Sequence, residues 1–399
     1  MTRVQVLGAG ECGLPLARRL LDGGIPVTLV TDRDAEAVLS GSVTSTQLKF
    51  PRTLDLESAA GLGHWRTLAP EVLGIRFTMV VEGSVVDQWS GRFSRPAQSV
   101  DQRTAHARWL TDFVAAGGEV AIGSPSVAEI DSRAAGYDLT VVTRASGELA
   151  TCFADDPRWA LPTEPARRMS AFYLDGVTPD PDGLGTYAAL PGLGELVSAP
   201  ALTGPPGQER RCETLLFAAI PGRPLDIVDA RGTATERWRQ ARELLDSHLP
   251  PGISDRFRGG ELTDAGATLV GGVTPVMREP VGALPSGRPI LGGADVVCRM
   301  DPGGAQGANN AVHCGTHYAR AIIDNPRGPF DRNWMAATAG PWLTDIAYPA
   351  ARWTLTLLDP PESLGRLMLA ASRDSTIADA FAETFVHPAG SDLLAGTPS

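Results

Sequence analysis

Residues 3–34, RVQVLGAGECGLPLARRLLDGGIPVTLVTDRD, constrain the fold more than any other stretch of this chain. An apolar run ends in Gly8, Gly10 and Gly13, spaced G-x-G-x-x-G. An amphipathic helical run follows, and Gly23–Gly24 stops it before a second apolar run. This is the βαβ pattern of a dinucleotide-binding fold. The first glycine permits the turn, the second lets backbone approach a pyrophosphate, and the third lets helix pack on strand. The helix N-terminus then stabilises negative charge. Asp32, ending the second strand, stands about where such folds place a ribose-binding acid, roughly twenty residues beyond the glycines. Arg33 beside it is placed to reach a phosphate or stack on adenine, while Asp34 reads as a solvated turn.

The pattern is interrupted and then resumes. Residues 98–122 read as a helix stopped by Gly117–Gly118 and followed by a strand, and YDLTVVT (Tyr137 to Thr143) as a buried parallel strand. Residues 161–230 are rich in proline and glycine, with short runs such as RMSAFYL and CETLLFAAI that suit antiparallel strands. The helical run ATERWRQARELLDSHL stops at Pro250–Pro251. Glycine-punctuated strands return from Ala267, and the last fifty or so residues look helical. The expected fold is α/β. A discontinuous Rossmann-like domain of glutathione-reductase type covers 1–160 and 267–335. An antiparallel β-rich substrate domain is inserted at 161–266, joined by part of 66–97, and a helical segment covers 336–390.

Charge and cysteine usage exclude several function classes. A net charge of −11 leaves no basic face for nucleic acid or for an anionic membrane. Five scattered cysteines, odd in number and never spaced C-x-x-C, favour reduced thiols over a disulfide framework or a zinc site. A strand begins almost at the N-terminus, and no apolar run approaches membrane-spanning length. A soluble cytoplasmic protein is expected. Lys49 is the one lysine among 35 basic residues, which reads as a bias towards arginine without mechanistic content.

The first glycine motif alone leaves NAD and FAD open. A second loop, GGADVVCRMDPGGAQGANNA, resembles the flavoprotein motif in which an acid after a strand, here Asp295, holds the ribityl or ribose region. A Pro-x-x-x-Gln-Gly turn then starts a helix aimed at the isoalloxazine, and its positions here are Pro302, Gln306, Gly307, Ala308 and Asn309. Backbone N–H groups at that helix start would face the ring edge where reduced flavin carries negative charge.

The segments GGVTPVMR (271–278), DPGGAQGAN, SVDQR (99–103), STQ (45–47) and ARWTLTLLDPPESLGRLMLAASRDSTIADAF extend the likeness over nearly the whole chain. In this combination the chain resembles the styrene/indole monooxygenases, two-component FAD-dependent epoxidases. The resemblance implies that a separate NADH-dependent flavin reductase supplies FADH2. The oxygenase would then react with O2 through a flavin C4a-hydroperoxide and epoxidise a small aromatic alkene, indole (to indoxyl and indigo) or styrene. It further implies that Ser45, Thr46 and Gln47 lie between flavin and substrate, and that Pro302 sits over the reactive face. Val273 and Pro275 would wall the pocket, with Arg103 on an FAD phosphate and Gln98 supporting it. Ser45, Gln47, Ile75 and Ala97 resemble the indole-type set of pocket residues, and Gln47 offers an amide oxygen to an indole N–H.

The absence of a nucleophile–base pair or metal cluster in the sequence fits oxygen transfer, which needs a dry cavity and a placed substrate. His313 and His317, at i and i+4, have no acidic partner in their motif and read as packing or surface residues. Two departures from the family touch expected FAD contacts: Arg144–Ala145 replace a small-residue turn, and Ala305 replaces the glycine before Gln306. Three other readings stay open: a single-component FAD/NADPH aromatic hydroxylase, a biosynthetic monooxygenase for a larger indolic substrate, and a non-catalytic flavin-binding protein. A homodimer is also open.

Overall fold

The structure, a computed structural model, describes residues 2–144 and 147–390. Strand Val4–Leu7 is buried along its length and forms the centre of a six-stranded sheet. Its parallel neighbours are Val27–Thr31 and Leu139–Val142. Glu119–Ile122 extends the parallel array on one side and Pro289–Gly292 on the other, where antiparallel Val281–Ala283 forms the edge. Strands buried on both faces must be apolar throughout, which is why VQVL, VTLVT and LTVV carry so few charges. Helices Gly13–Asp22 and Gly307–Ile323 pack on this sheet with their apolar stripes inward. Such a sheet presents its ligand site beyond the C-terminal ends of the strands.

The chain leaves this layer more than once to build an eight-stranded sheet. In spatial order its main path runs Glu261–Leu262, Arg168–Asp175, Arg210–Ala219, Gly194–Thr203, Gly185–Leu190, Glu71–Val81, Ser84–Gln98. Two features of this sheet differ from what the sequence predicts. Glu71–Val81 pairs parallel with Gly185–Leu190, so the sheet is mixed; the two strands come from separate excursions of the chain and no hairpin links them. Thr268–Gly272, placed by the sequence reading in the dinucleotide domain, pairs with Arg168–Asp175, so the large sheet continues past residue 266. A short glycine-punctuated apolar run looks the same in either sheet. Among the described residues, no helix is long and apolar enough to cross a membrane.

One face of the large sheet is covered by helix Ala234–His248, which opens on a capping box between Thr233 and Glu236. The C-terminal helices Tyr348–Leu358, Glu362–Ala371 and Ser375–Val386 pack around Trp89, Trp353 and Phe381. The last helix also covers the edge strand Ser84–Gln98, whose unpaired N–H groups would otherwise invite another chain. Arg92 N donates to Asp379 Oδ1 at 2.7 Å, and Ser94 N and Oγ donate to Glu383 at 3.0 and 2.8 Å. Replacing both acids (Asp379→Ala with Glu383→Ala) is expected to cost about 1 kcal/mol per lost hydrogen-bonding site. Urea unfolding would read the loss, and limited proteolysis should cut first between residues 359 and 375; an unchanged digestion pattern would refute the clamp.

Candidate active site

Beyond the C-terminal end of Val4–Leu7 opens a cleft of about 610 Å³. The first turn folds as it does because of its glycines. Gly8 has φ +116°, and a Cβ on Gly13 would lie 1.8 Å from the Gly8 carbonyl oxygen, so only glycine lets the helix approach this closely. A Cβ on Gly10 would meet nothing within 4 Å, because that position faces the open cleft. Cys12 provides no side-chain cap to helix Gly13–Asp22. Helix Gly307–Ile323 likewise starts uncapped on the same cleft, with Gly307 and Ala308 in its wall. Two bare helix N-termini at one cleft favour a ligand with negative charge at more than one place.

Of the residues singled out from sequence, Gly8, Gly10, Asp32, Arg33, Asp295, Gly307 and Ala308 line this cleft, as do Ser45, Thr46, Gln47, Val273 and Pro302. Asp32 has Arg33 at 3.8 Å and Arg144 at 3.5 Å, so the acid carries two cations beside it. Ala145 lies outside the described residues. The loop bearing Ser45–Gln47 is tied down by its neighbours. Ser45 O accepts from Tyr173 Oη at 3.1 Å, and Gln47 Nε2 donates to Val100 O at 2.7 Å. Gln47 Oε1 is buried with no hydrogen-bond partner in the protein.

Other expected contacts stand elsewhere. Arg103 does not line the cleft: its guanidinium donates to both oxygens of Asp101, both of Asp264, and Gly41 O. Burial alone would lower its pKa, but the two carboxylates outweigh burial and hold it above its ordinary value. No donor is left for a phosphate. Gln98 is engaged with Arg66 and with Ala69 O, away from Arg103. Gln306 Nε2 donates to Gly304 O and to Phe385 O, both at 2.8 Å. Asn309 is saturated, donating to Leu48 O and Ala305 O and accepting from Phe50 N and Thr53 Oγ1. Gln306 and Asn309 therefore shape the ring-end turn through the backbone they hold. Pro275 is outside the cleft wall, and Ala97 is buried in the core.

Ile75 lines a second cavity of about 260 Å³ between the large sheet and the C-terminal helices. Its wall is apolar, with Phe77, Tyr187, Leu364 and Phe381, apart from the Arg167–Glu195 ion pair at 2.7 Å. Asp301, next to Pro302, is buried and feels the charges of this pair. Its Oδ1 accepts from Gly303 N at 2.9 Å while Oδ2 has no partner, and burial pushes its pKa up to about 6.

Lys49 was invisible as a functional residue in the sequence. Its ammonium, 4% exposed, lies 2.8 Å from Glu11 Oε2 and 2.5 Å from Glu57 Oε1, over the ring of Trp109. Glu11 belongs to the glycine loop, and its other oxygen faces His106 Nε2 at 3.2 Å and Gln102 Nε2 at 3.3 Å. Burial would raise the Glu11 pKa, but Lys49 and His106 outweigh burial and hold it well below the usual range. Burial, seconded by the Glu11 charge, pushes Glu57 up to about 7. The missed signal was a carboxylate inside a phosphate-binding loop, which needs a buried cation somewhere.

His317 Nε2 sits 2.7 Å from Thr338 O, and burial lowers the His313 pKa to about 4. Among the described residues, no group of three or more His, Cys, Asp or Glu side chains could hold a metal ion.

The comparisons with known proteins agree with this geometry. A family model described as "Styrene monooxygenase A putative substrate binding domain" matches residues 146–256. Styrene monooxygenase StyA of Pseudomonas fluorescens is 25% identical over 400 aligned residues, 97% of this chain and 93% of that protein. StyA of a Pseudomonas sp is 24% identical over the same shares. Among solved structures, the flavin-dependent brominase Bmp2 is similar with a TM-score of 0.67 at 13% identity, over 98% of this chain and 95% of that one. The p-nitrophenol 4-monooxygenase PnpA of Pseudomonas putida DLL-E4 has a TM-score of 0.64 at 13% identity, over 98% and 99%. The structural likenesses establish an FAD-binding α/β fold. The sequence similarities support the styrene monooxygenase family, and the chain is a flavoprotein monooxygenase. The glycine floor and the two uncapped helix starts fit FAD.

Ala305, just before Gln306, adopts φ +54°, ψ +29°. A left-handed L-residue costs about 1–2 kcal/mol, and glycine returns about 0.4–1 kcal/mol of that through its unfolded-state freedom. Ala305→Gly is therefore expected to raise unfolding stability by up to about 1 kcal/mol. A lower urea midpoint would mean that packing of the Ala305 methyl outweighs the strain.

Proposed function

We propose that this chain is the oxygenase component of a two-component system, taking FADH2 from a separate NADH-dependent reductase to epoxidise an aryl alkene, with indole preferred over styrene. The observation that carries the substrate reading is the orphaned Gln47 Oε1 in the wall of the cleft that also holds Pro302. A buried acceptor without a partner costs about 1–3 kcal/mol, and a substrate N–H removes that cost while a plain hydrocarbon does not.

Bound FADH2 would supply the oxygen-activating chemistry. This chain's residues do the rest. The loop at Gly8–Gly13 and helix Gly13–Asp22 receive the diphosphate, and Asp32 with its flanking arginines meets the adenosine end. Helix Gly307–Ile323 offers backbone N–H groups to the ring. Val273 and Pro302 wall the reacting end against water, which protects an activated oxygen from unproductive loss. Gln47 orients an indole by accepting its N–H, with Nε2 anchored on Val100 O so that the amide cannot turn. The second cavity, with Ile75, leaves room for a larger indolic or aryl substrate.

Mixing the protein with photochemically reduced FAD, O2 and indole or styrene tests the reading. Indigo and styrene oxide are the expected products, and no oxygenated product from either would sink it. Anaerobic bleaching of bound flavin by NAD(P)H without a reductase would instead favour a single-component hydroxylase. Gln47→Val is expected to lower the ratio of kcat/KM for indole over styrene about tenfold, the worth of one substrate hydrogen bond. An unchanged ratio would remove Gln47 from the recognition of substrate.

A further inference from the structure

We propose that seating FAD in the cleft is coupled to uptake of a proton by the buried cluster Glu11–Lys49–Glu57–His106. The inference rests on the FAD reading above and concerns a property of this chain's own side chains. A glycine loop binds a diphosphate by presenting backbone N–H groups to it. Here that loop carries Glu11 between Gly10 and Cys12, and all three residues line the cleft. A carboxylate at that position opposes the charge the loop must receive. The structure compensates with Lys49 on one oxygen and His106 and Gln102 on the other.

The compensation is incomplete, because Lys49 is shared. Its ammonium also holds Glu57, so two carboxylates divide one fixed positive charge, all three side chains at most 7% exposed. The further groups facing the cluster are few. Arg66 acts on Glu57 from the loop after helix Pro51–Ala59, and Trp109 offers only its ring face to Lys49. Gln102 is neutral and is itself held by Thr44 Oγ1 at 2.9 Å. Without an added proton Glu11, Glu57 and Lys49 sum to one negative charge beside the diphosphate seat. Buried charges are poorly screened by salt, so an arriving diphosphate raises the proton affinity of its neighbours. The group that can hold the proton is Glu57, which shares Lys49 with Glu11 and whose pKa of about 7 places it near titration at neutral pH. By linkage, a proton taken up on binding makes the affinity rise as pH falls.

Isothermal titration of apo-protein with oxidised FAD at pH 7, in buffers of different ionisation enthalpy, reads the proton directly. A positive slope of binding heat against buffer enthalpy is expected, with Kd rising about fivefold from pH 6 to pH 8.5, the low end of ordinary coupling between two bound species. Glu57→Gln should abolish the slope while FAD still binds; if that variant fails to fold, Glu11→Gln, which leaves Lys49 to Glu57 alone, should reduce the slope. Binding with zero slope, or a slope unchanged in the folded variant, overturns the coupling and leaves the FAD reading standing. No binding heat at all overturns the FAD reading, and this inference with it.

Discussion

Two carboxylates meeting on one buried ammonium hold the cleft of this protein in place. Glu11 comes from the glycine loop, Glu57 from helix Pro51–Ala59, and Lys49 from the segment that carries Ser45–Gln47. His106 and Gln102 bring in helix Gln102–Ala115. Four pieces of chain, three of which line the cleft, are thus joined at a single point. Breaking a buried pair by removing one partner costs about 3–5 kcal/mol, because the charge left behind is uncompensated. That penalty is what makes the arrangement specific. Lys49 cannot move without stranding two carboxylates, so the Ser45–Gln47 loop is held against the glycine loop even before a ligand arrives. The backbone pairing of Lys49 with Gln98, at 2.8 and 3.0 Å, ties the same loop to the end of the large sheet.

What was legible in the sequence is what backbone geometry dictates locally. G-x-G-x-x-G between a strand and a helix has few other uses, and both glycine loops reach one cleft although Gly13 and Gly307 are nearly three hundred residues apart. Ser45–Gln47 and Pro302 also fall in that cleft. The illegible part concerns side chains whose partners are remote. Arg103 looked free for a phosphate, but Asp264, 161 residues later, takes one edge of its guanidinium and Asp101 the other. Lys49 looked like compositional noise because its meaning lies in Glu11 and Glu57, and a carboxylate within a glycine motif does not say which residue supplies its cation. The end of the inserted domain was misplaced for a related reason: TLVGG pairs with a strand about a hundred residues earlier, and nothing in five residues says so.

The ring-end turn shows how the C-terminal helices enter the site. Gln306, which its motif assigns to the flavin, spends its amide on Gly304 O and on Phe385 O in the last helix. Phe385 also lines the second cavity. The turn that positions Pro302 is therefore anchored to the element that closes the apolar chamber behind it. Asp301 feels the charges of the same chamber, since Arg167 lowers its pKa and Glu195 raises it, and both line that cavity. A carboxyl buried to this extent, with one oxygen unpartnered, is sensitive to any change in that ion pair. A substrate that fills the second cavity and presses on Arg167 or Phe385 acts on the same turn that a flavin ring would meet from the other side. The two cavities are distinct volumes: Pro302 and Ala305 line the cleft, Phe385 lines the second cavity, and the bond from Gln306 to Phe385 O joins the turn to the C-terminal segment from outside the cleft.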